Sequence, residues 1–272
     1  MAGASLTLEE WHASAPLLAA EVAEEWELRL GDPYVPGAAG HVVRADLPDG
    51  TPAVLKLHWP HRESEQEADA LERWDGEGAV RLLARDGAHG ALLVERCKPG
   101  AFLSTAPDPL GVLIGLLPRL WRSGDGFRPL AEEAAHWLAG DDLAAIPDRR
   151  LREATAHYLR ELPPTQGEQV LLHQDLHGEN VLAAEREPWL AIDPKPLAGE
   201  REFAVAPIVR SVELGHSKRD VLHRLDRLTA ELGLDRERTR GWTIAQTVAW
   251  AADDGRFIET HLETARWLLE DV

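Results

Sequence analysis

His173-Gln-Asp-Leu-His-Gly-Glu-Asn180 packs two histidines, two acids and an asparagine into eight residues between apolar flanks. Asp, Asn and Gly satisfy turn backbones locally, so the octet alone reads either as a solvated turn or as a site for metal or phosphoryl-transfer chemistry. The residues that follow decide between them. Val181-Leu-Ala-Ala184, the polar Glu185-Arg-Glu-Pro188 and Trp189-Leu-Ala-Ile192 spell two short apolar strands joined by a tight hairpin, with Asp193 next. With the hairpin centred near Arg186 and Glu187, the register sets Asn180 opposite Asp193, and Asp175 lies just upstream. An amide oxygen facing a carboxylate is a pair of hard ligands suited to Mg²⁺, which is held by one or two protein carboxylates plus substrate phosphates.

The rest of the chain sets bounds. At 272 residues and 44% hydrophobic content it can bury one large core or two lobes sharing a cleft without covalent staples. A single cysteine, Cys97, excludes an internal disulfide. The first thirty residues are acidic and lack a long apolar run, so they are not expected to be a secretory signal. No stretch approaches eighteen uninterrupted apolar residues, and a cytoplasmic, monomeric protein without a membrane partner is expected. The 47 acidic against 29 basic residues, a formal charge of −18, repel phosphate backbones and anionic lipids, which argues against nucleic acid as a partner. That acidity serves solubility or draws in a cationic small molecule, and composition leaves both readings open.

Local patterns place the elements. Thr7-Leu-Glu-Glu10 is a capping-box pattern, and Trp11, Leu18, Val22 and Trp26 recur at helical spacing, which predicts an amphipathic N-terminal helix. After Gly37-Ala-Ala-Gly40 come HVVRADL, PDG and AVLKL, a hairpin with Asp49-Gly50 at its turn. Lys56 interrupts the second of these strands, where a charge is normally excluded or turned to solvent. The segment from Glu63 to Trp74 follows with Ala68, Leu71 and Trp74 on one helical face and several acids able to meet the lysine. Ala91-Leu-Leu-Val94 leads through Glu95, Cys97 and Lys98-Pro-Gly100 into a breaker, a buried strand leaving at a hinge. The remainder reads as mostly helical, with a helix from about Asp148 closed by Pro163 and Pro164.

The octet fits the catalytic-loop pattern H-x-D-x-x-x-x-N shared by protein kinases and aminoglycoside phosphotransferases, with Asp193 where their metal-binding Asp follows the hairpin. The segments LLHQDLHGENVL, AIDPKPLAGEREFAVAPIVR and LKLHWPHRESEQEADALERWDGEGAVRLL resemble the aminoglycoside/hydroxyurea phosphotransferase group, which includes streptomycin 6-kinases, over roughly residues 35 to 215. The resemblance implies an α+β, two-lobed protein-kinase-like fold. A small strand-containing lobe over residues 1–96 would cover the nucleotide, and a larger helical lobe over 97–272 would carry the chemistry. It also implies ATP and Mg²⁺ as cofactors. Glu67 would orient Lys56 toward the α- and β-phosphates, with Glu63 as the fallback. Backbone groups of Glu95 and Cys97 would recognise adenine, their side chains being incidental and Cys97 an inert filler.

Transfer of a phosphoryl group is mainly positioning and charge stabilisation, so each role has a physical basis. Asn180 and Asp193 would hold Mg²⁺, and Asp175 would orient or take the proton of an acceptor hydroxyl. His173 would tie the loop together, while His177 would approach the γ-phosphate or serve structure. Lys195 is near the metal by sequence and could compensate charge. Asp193-Pro-Lys replaces the D-F-G of protein kinases and no A-P-E follows, which argues against a protein substrate. Acids of the helical lobe, among them Glu132, Glu133, Asp141, Asp142, Glu202, Asp253 and Asp254, could line the acceptor site, with Asp253 and Asp254 beside Trp250 preferred. The expected reaction is phosphorylation of a hydroxyl on an aminoglycoside-like or hydroxyurea-like antibiotic. A kinase of a sugar or amino-alcohol metabolite is the alternative, ahead of a metal-dependent hydrolase using His173, Asp175 and His177 and of a silent nucleotide-binding module.

Overall fold

A strand that alternates in burial organises the first part of the chain. In the computed structural model, which describes residues 7–34, 40–253 and 256–271, helix α1 (Leu8–Glu25) is followed by strands β1 (Arg29–Pro33), β2 (Gly40–Asp46) and β3 (Pro52–His58). Helix α2 (Glu67–Trp74) and strands β4 (Leu82–Asp86) and β5 (Ala91–Glu95) complete an antiparallel sheet of order β1-β2-β3-β5-β4. Side chains alternate across a strand, so Ala53, Leu55 and Leu57 of β3 face one way and Val54, Lys56 and His58 the other. The first set packs on Trp11, Ala15, Ala19 and Val22 of α1, whose N-terminus carries the expected Thr7–Glu10 capping box. The second set faces α2, which buries Ala70, Leu71 and Trp74 with Leu92 and Val94 of β5. The alternation therefore delivers Lys56 to the inner face of the sheet. Gly37, Ala38 and Ala39 of the expected nucleotide-covering turn lie outside the described residues.

Beyond Cys97 the chain is mostly helical: α3 (Pro109–Leu120), α4 (Leu130–Ala139), α5 (Asp141–Ala145) and α6 (Arg149–Glu161) precede four short strands. These are β6 (Gln169–Leu172), β7 (Val181–Ala183), β8 (Trp189–Ala191) and β9 (Leu197–Glu200), paired β6 with β9 and β7 with β8. Helices α7 (Arg201–Ala204), α8 (Ala206–Arg210), α9 (Lys218–Leu232) and α10 (Arg236–Ala249) follow, then the two-residue strands β10 (Ala252–Asp253) and β11 (Arg256–Phe257), and α11 (Glu259–Leu269). Helix α10 is buried on nearly every side from Thr239 to Val248 and forms the axis of this lobe. Gly241 lets α6 approach it closely, since a Cβ there would lie 2.8 Å from the Tyr158 ring. Among the described residues no helix is long and apolar enough to cross a membrane.

The two parts are fastened together near the loop. Val80 N donates to Ala191 O at 3.0 Å and Ala191 N to Gly78 O at 2.9 Å. Helix α2 is held to the helical lobe by Trp74 Nε1 on Leu120 O (2.8 Å) and by Arg73 on the carbonyls of Ser123 (2.7 Å) and Asp125 (3.0 Å).

The β7–β8 register corrects the expected pairing by one residue. Val181 pairs with Ala191, and Ile192 N donates to Asn180 O at 2.9 Å, so Asn180 opposes Ile192 and not Asp193. The turn spans Ala184 to Pro188 and centres on Arg186. Asp193 leaves the ladder altogether with φ 57°.

Candidate active site

The loop from His173 to Asn180 connects β6 to β7 and rests on a buried foot. Leu176 is fully buried, and His173 and Gln174 are nearly so. Burial pushes His173 down to about 4, leaving it neutral. Its Nε2–H donates to Ile192 O at 2.9 Å and its ring stacks on Trp74, the loop-tying part expected of it. Gln174 adopts φ 64°, and its carbonyl accepts from Gln246 Nε2 of α10 at 2.9 Å. Two of the four non-glycine residues with positive φ among those described, Gln174 and Asp193, fall at this site, and such conformations cost about 1–3 kcal/mol each and persist only where the surroundings enforce them.

On the sheet side, Lys56 is the centre. Its Nζ donates to Glu67 Oε1 and Oε2 at 2.8 and 3.0 Å and is in direct contact with Asp193 Oδ1. His58 Nε2 lies 3.0 Å from the same Glu67 carboxylate. Burial works against the charges of Lys56 and Asp193, but Glu67 and then Asp193 offset it for the lysine, and Lys56, helped by Lys195 and His58, offsets it for the aspartate. The lysine is raised and the aspartate lowered from their ordinary values, so both are ionised. Of the two acids considered for Lys56, Glu67 is the one it meets.

Asn180 Nδ2 donates to the main-chain oxygen of Asp175 at 2.8 Å, which leaves its Oδ1 as the free end of the amide. Asp193 uses one oxygen on Lys56. One free amide oxygen and one carboxylate oxygen, both hard donors, fit Mg²⁺ completed by waters and phosphates. His173 and His177 are held by Ile192 and Glu213, and among the described residues no group of three His, Cys, Asp or Glu is placed to hold a metal. That geometry does not assemble the hydrolase site weighed above.

Asp175, with its Oδ2 3.4 Å from Asn180 Nδ2, lines a cavity of about 800 Å³. Lys195 Nζ lies 3.0 Å from its Oδ2 and Arg210 Nη2 3.5 Å from its Oδ1. Both cations also sit over the Trp250 ring, at 4.7 and 4.6 Å from its centroid. Glu63 lines the same cavity 3.7 Å from Lys195, and burial raises its pKa. Across the loop, Glu213 accepts from Ser211 Oγ (2.7 Å), Gly178 N (2.9 Å) and His177 Nδ1 (3.1 Å). Burial opposes its ionisation, but the bonds from His177 and Ser211 prevail and hold it down to about 2.

The structure distributes the other named residues unevenly. His177 is on the acceptor side with Glu213, not beside Lys56. Glu133 and Asp142 line the cavity. Glu133 is buried between Arg62 (2.8 Å) and Arg128 (3.0 Å). Glu202 is a correction: it lines a separate cavity with Gly233 and Leu234 and accepts from Asp235 N at 3.4 Å, near the start of α10. Its acidity and its place in the helical lobe are the only features that suggest an acceptor role. Asp254 lies outside the described residues, and of Asp253 only its backbone in β10 is described. The Glu95 carboxylate, which has no part in the expected backbone contact with adenine, is tied to Arg186 at 2.8 Å. Cys97 is a free thiol that burial, aided by Glu95, pushes up to about 12, as befits an inert position. Arg210, Glu213 and Trp250 were not singled out as site residues. The only sequence signals for this wall were an aromatic residue at the end of α10 and a lysine bracketed by Pro194 and Pro196.

A buried ammonium between two carboxylates can hold phosphates, and the Asp175 carboxylate lines a cavity that can take an alcohol. Fold and site together define a small-molecule kinase, a phosphotransferase with an alcohol group as acceptor. The chain belongs to the aminoglycoside/hydroxyurea antibiotic resistance kinase family, whose profile matches residues 27–255. A hydroxyurea phosphotransferase of Kitasatospora aureofaciens is 44% identical over 261 residues, covering 90% of this chain and 76% of that protein. A streptomycin 6-kinase of Streptomyces griseus is 40% identical over 263 residues, covering 90% of this chain and 85% of that protein. Among solved structures, choline kinase LicA from Streptococcus pneumoniae shares the fold with a TM-score of 0.68 at 14% identity, over 94% of this chain and 99% of that one.

Proposed function

We propose that this chain transfers the γ-phosphoryl group of ATP, in the presence of Mg²⁺, to a hydroxyl of a multi-ring aminocyclitol-type antibiotic. The observation that carries the reading is that one loop and the residues after it supply both Asp175, at the wall of the 800 Å³ cavity, and Asp193, in the Lys56–Glu67–Asp193 cluster. Cavities of about 300–1,000 Å³ suit drug-sized ligands, whereas hydroxyurea would leave most of this one empty. The 40% identical streptomycin 6-kinase points the same way.

Lys56, oriented by Glu67, binds the phosphates of ATP. Asn180 and Asp193 hold Mg²⁺, which when bound neutralises charge on the phosphates. Asp175 orients the acceptor hydroxyl and takes its proton, a contribution of roughly 10²- to 10⁴-fold for a positioned acid–base group. Glu213, through Gly178 N and His177, fixes the loop that presents Asp175.

The test is ADP release with streptomycin, other aminocyclitols, hydroxyurea, choline and simple sugars, followed by mass analysis for one added phosphate. Phosphorylated streptomycin or another aminocyclitol supports the reading. Turnover of hydroxyurea, choline or a sugar with none of the aminocyclitols would refute the substrate class and leave a kinase of small acceptors.

A further inference from the structure

Asp175 carries one negative charge and has two cations against it, and the two are held in different ways. Arg210 is fully enclosed and anchored. Only 7% of its side chain is exposed, Nη1 donates to Gln246 Oε1 at 2.8 Å, and Gln246 in turn holds the Gln174 carbonyl of the catalytic loop. Lys195 is mounted on a fixed backbone, between Pro194 and Pro196, with its N–H on His173 O at 2.9 Å. Its side chain is more open, 27% exposed, and its flexible stem ends at the cavity wall. Among the described residues the ammonium meets, apart from Asp175, Glu63 at 3.7 Å and the face of Trp250.

Arg210, anchored on Gln246, supplies Asp175 with a counter-charge that stays in place, which leaves the more exposed Lys195 available to a second partner. The Lys195 ammonium stands 3.0 Å from the carboxylate assigned to the acceptor hydroxyl, and it follows Asp193 by two residues in the chain. In phosphoryl transfer, negative charge spreads over the oxygens of the group in flight, and a cation supplied there is worth several powers of ten in rate.

We propose that Lys195 is a further catalytic residue, whose ammonium is released from Asp175 by the incoming acceptor hydroxyl and contacts the transferring phosphoryl oxygens, while Arg210 remains as the fixed counter-charge of Asp175. This rests on the phosphotransfer reading above. In the step, the acceptor oxygen bonds to the γ-phosphorus as the bond from that phosphorus to the bridging β–γ oxygen breaks. The bond pair stays on ADP, and the hydroxyl proton passes to Asp175. Trp250 serves as the face along which the lysine stem is held.

The test compares wild type with Lys195→Met, Lys195→Gln and Lys195→Arg, each first checked by circular dichroism and thermal unfolding. Replacing the ammonium by Met or Gln is expected to lower kcat by about 10²- to 10³-fold, the loss typical of removing one preorganised charge stabiliser. KM for ATP should stay within roughly threefold, because the contact forms only in the transition state. Arg is expected to recover part of kcat. A second readout does not use turnover. Thermal stabilisation by Mg²⁺ with AMP-PNP should be unchanged in Lys195→Met, while stabilisation by Mg²⁺, ADP and aluminium fluoride, a mimic of the group in flight, should be lost. Undiminished stabilisation by the aluminium fluoride complex, or a fall in kcat matched by lost AMP-PNP binding, would overturn the assignment. Should wild type phosphorylate no acceptor offered, the acceptor reading fails by itself. Slow ATP hydrolysis by water and the aluminium fluoride titration then still decide for or against Lys195.

Discussion

Replacing Arg186 by alanine should loosen the joint between the two lobes. Arg186 stands at the centre of the β7–β8 turn and reaches back to the sheet lobe. Its Nε donates to both Glu95 oxygens (2.9 and 3.1 Å), Nη2 to Glu95 (2.8 Å) and Ala79 O (3.1 Å), and Nη1 to Gly76 O (2.7 Å). Without it the Glu95 carboxylate keeps only Arg81 N, at 3.1 Å, and two carbonyls lose their donor. A hydrogen bond involving a charged group contributes about 1.5–3 kcal/mol. Arg186 and Glu95 are each about one-fifth exposed, at 22% and 20%, so water replaces part of the loss and the net cost is about 2–4 kcal/mol. At roughly 3 °C per kcal/mol for a chain of this size, Tm should fall by about 6–12 °C. Calorimetry on Arg186→Ala, Glu95→Ala and the double variant measures it, and the pair should couple by about 1–3 kcal/mol. Arg186→Lys should restore only part of the loss, because an ammonium cannot span Glu95, Ala79 and Gly76 as a guanidinium fork does. Tm of Arg186→Ala within a degree or so of wild type, or strictly additive single effects, would refute the clamp.

Asp175→Asn keeps the shape but removes the charge facing Lys195 and Arg210. Steady-state kinetics should show kcat down by about 10²- to 10⁴-fold with ATP affinity nearly unchanged, and a collapse of ATP affinity would mean that Asp175 belongs to the metal. Glu213 has its folded value depressed to about 2 from an ordinary 4.5, so its stabilisation is present above pH 4.5 and is lost as pH falls through about 2. Discounted for partial exposure, the effect is about 1–2 kcal/mol. Urea midpoints for wild type and Glu213→Gln should converge across that window, and a constant gap would count against the assignment. Cys97, pushed up to about 12 mainly by burial, should react with iodoacetamide at pH 8 far more slowly in the native protein than in guanidinium chloride. Equal rates would show the thiol to be open.

What could be read from the sequence was local. The capping box at Thr7, the Asp49-Gly50 hairpin, the buried strand at Ala91 to Glu95 and the start of α6 at Asp148 each depend on residues a few positions apart, and each appears where it was expected. The register error at Asn180 is the limit of that kind of reading. Placing the hairpin centre half a residue too far along shifts every pair by one, and nothing in a five-residue polar turn says which residue is central. Glu95 shows a second limit. As a hinge residue it was valued for its carbonyl, and the arginine that engages its side chain lies 91 positions later.

The acceptor site was least legible because it is assembled from segments that only packing brings together. Glu63 precedes α2, Asp142 opens α5, Lys195 follows Asp193, Arg210 ends α8 and Trp250 caps α10. Periodicity shows which face of each segment is buried, and it is silent on which faces meet. Net charge is equally uninformative about the acceptor. The chain carries −18, yet among the described residues the cavity wall holds five carboxylates against three Lys or Arg side chains. Glu133 is committed to Arg62 and Arg128, Asp175 to Lys195 and Arg210, and Glu213 to His177 and the loop backbone. Glu63 and Asp142 remain, the first with a single contact at 3.7 Å and the second with no ion pair among the described residues. Among the described residues, attraction of a cationic group would therefore fall to these two positions and not to the acidity of the whole surface, which salt screens beyond about 8 Å.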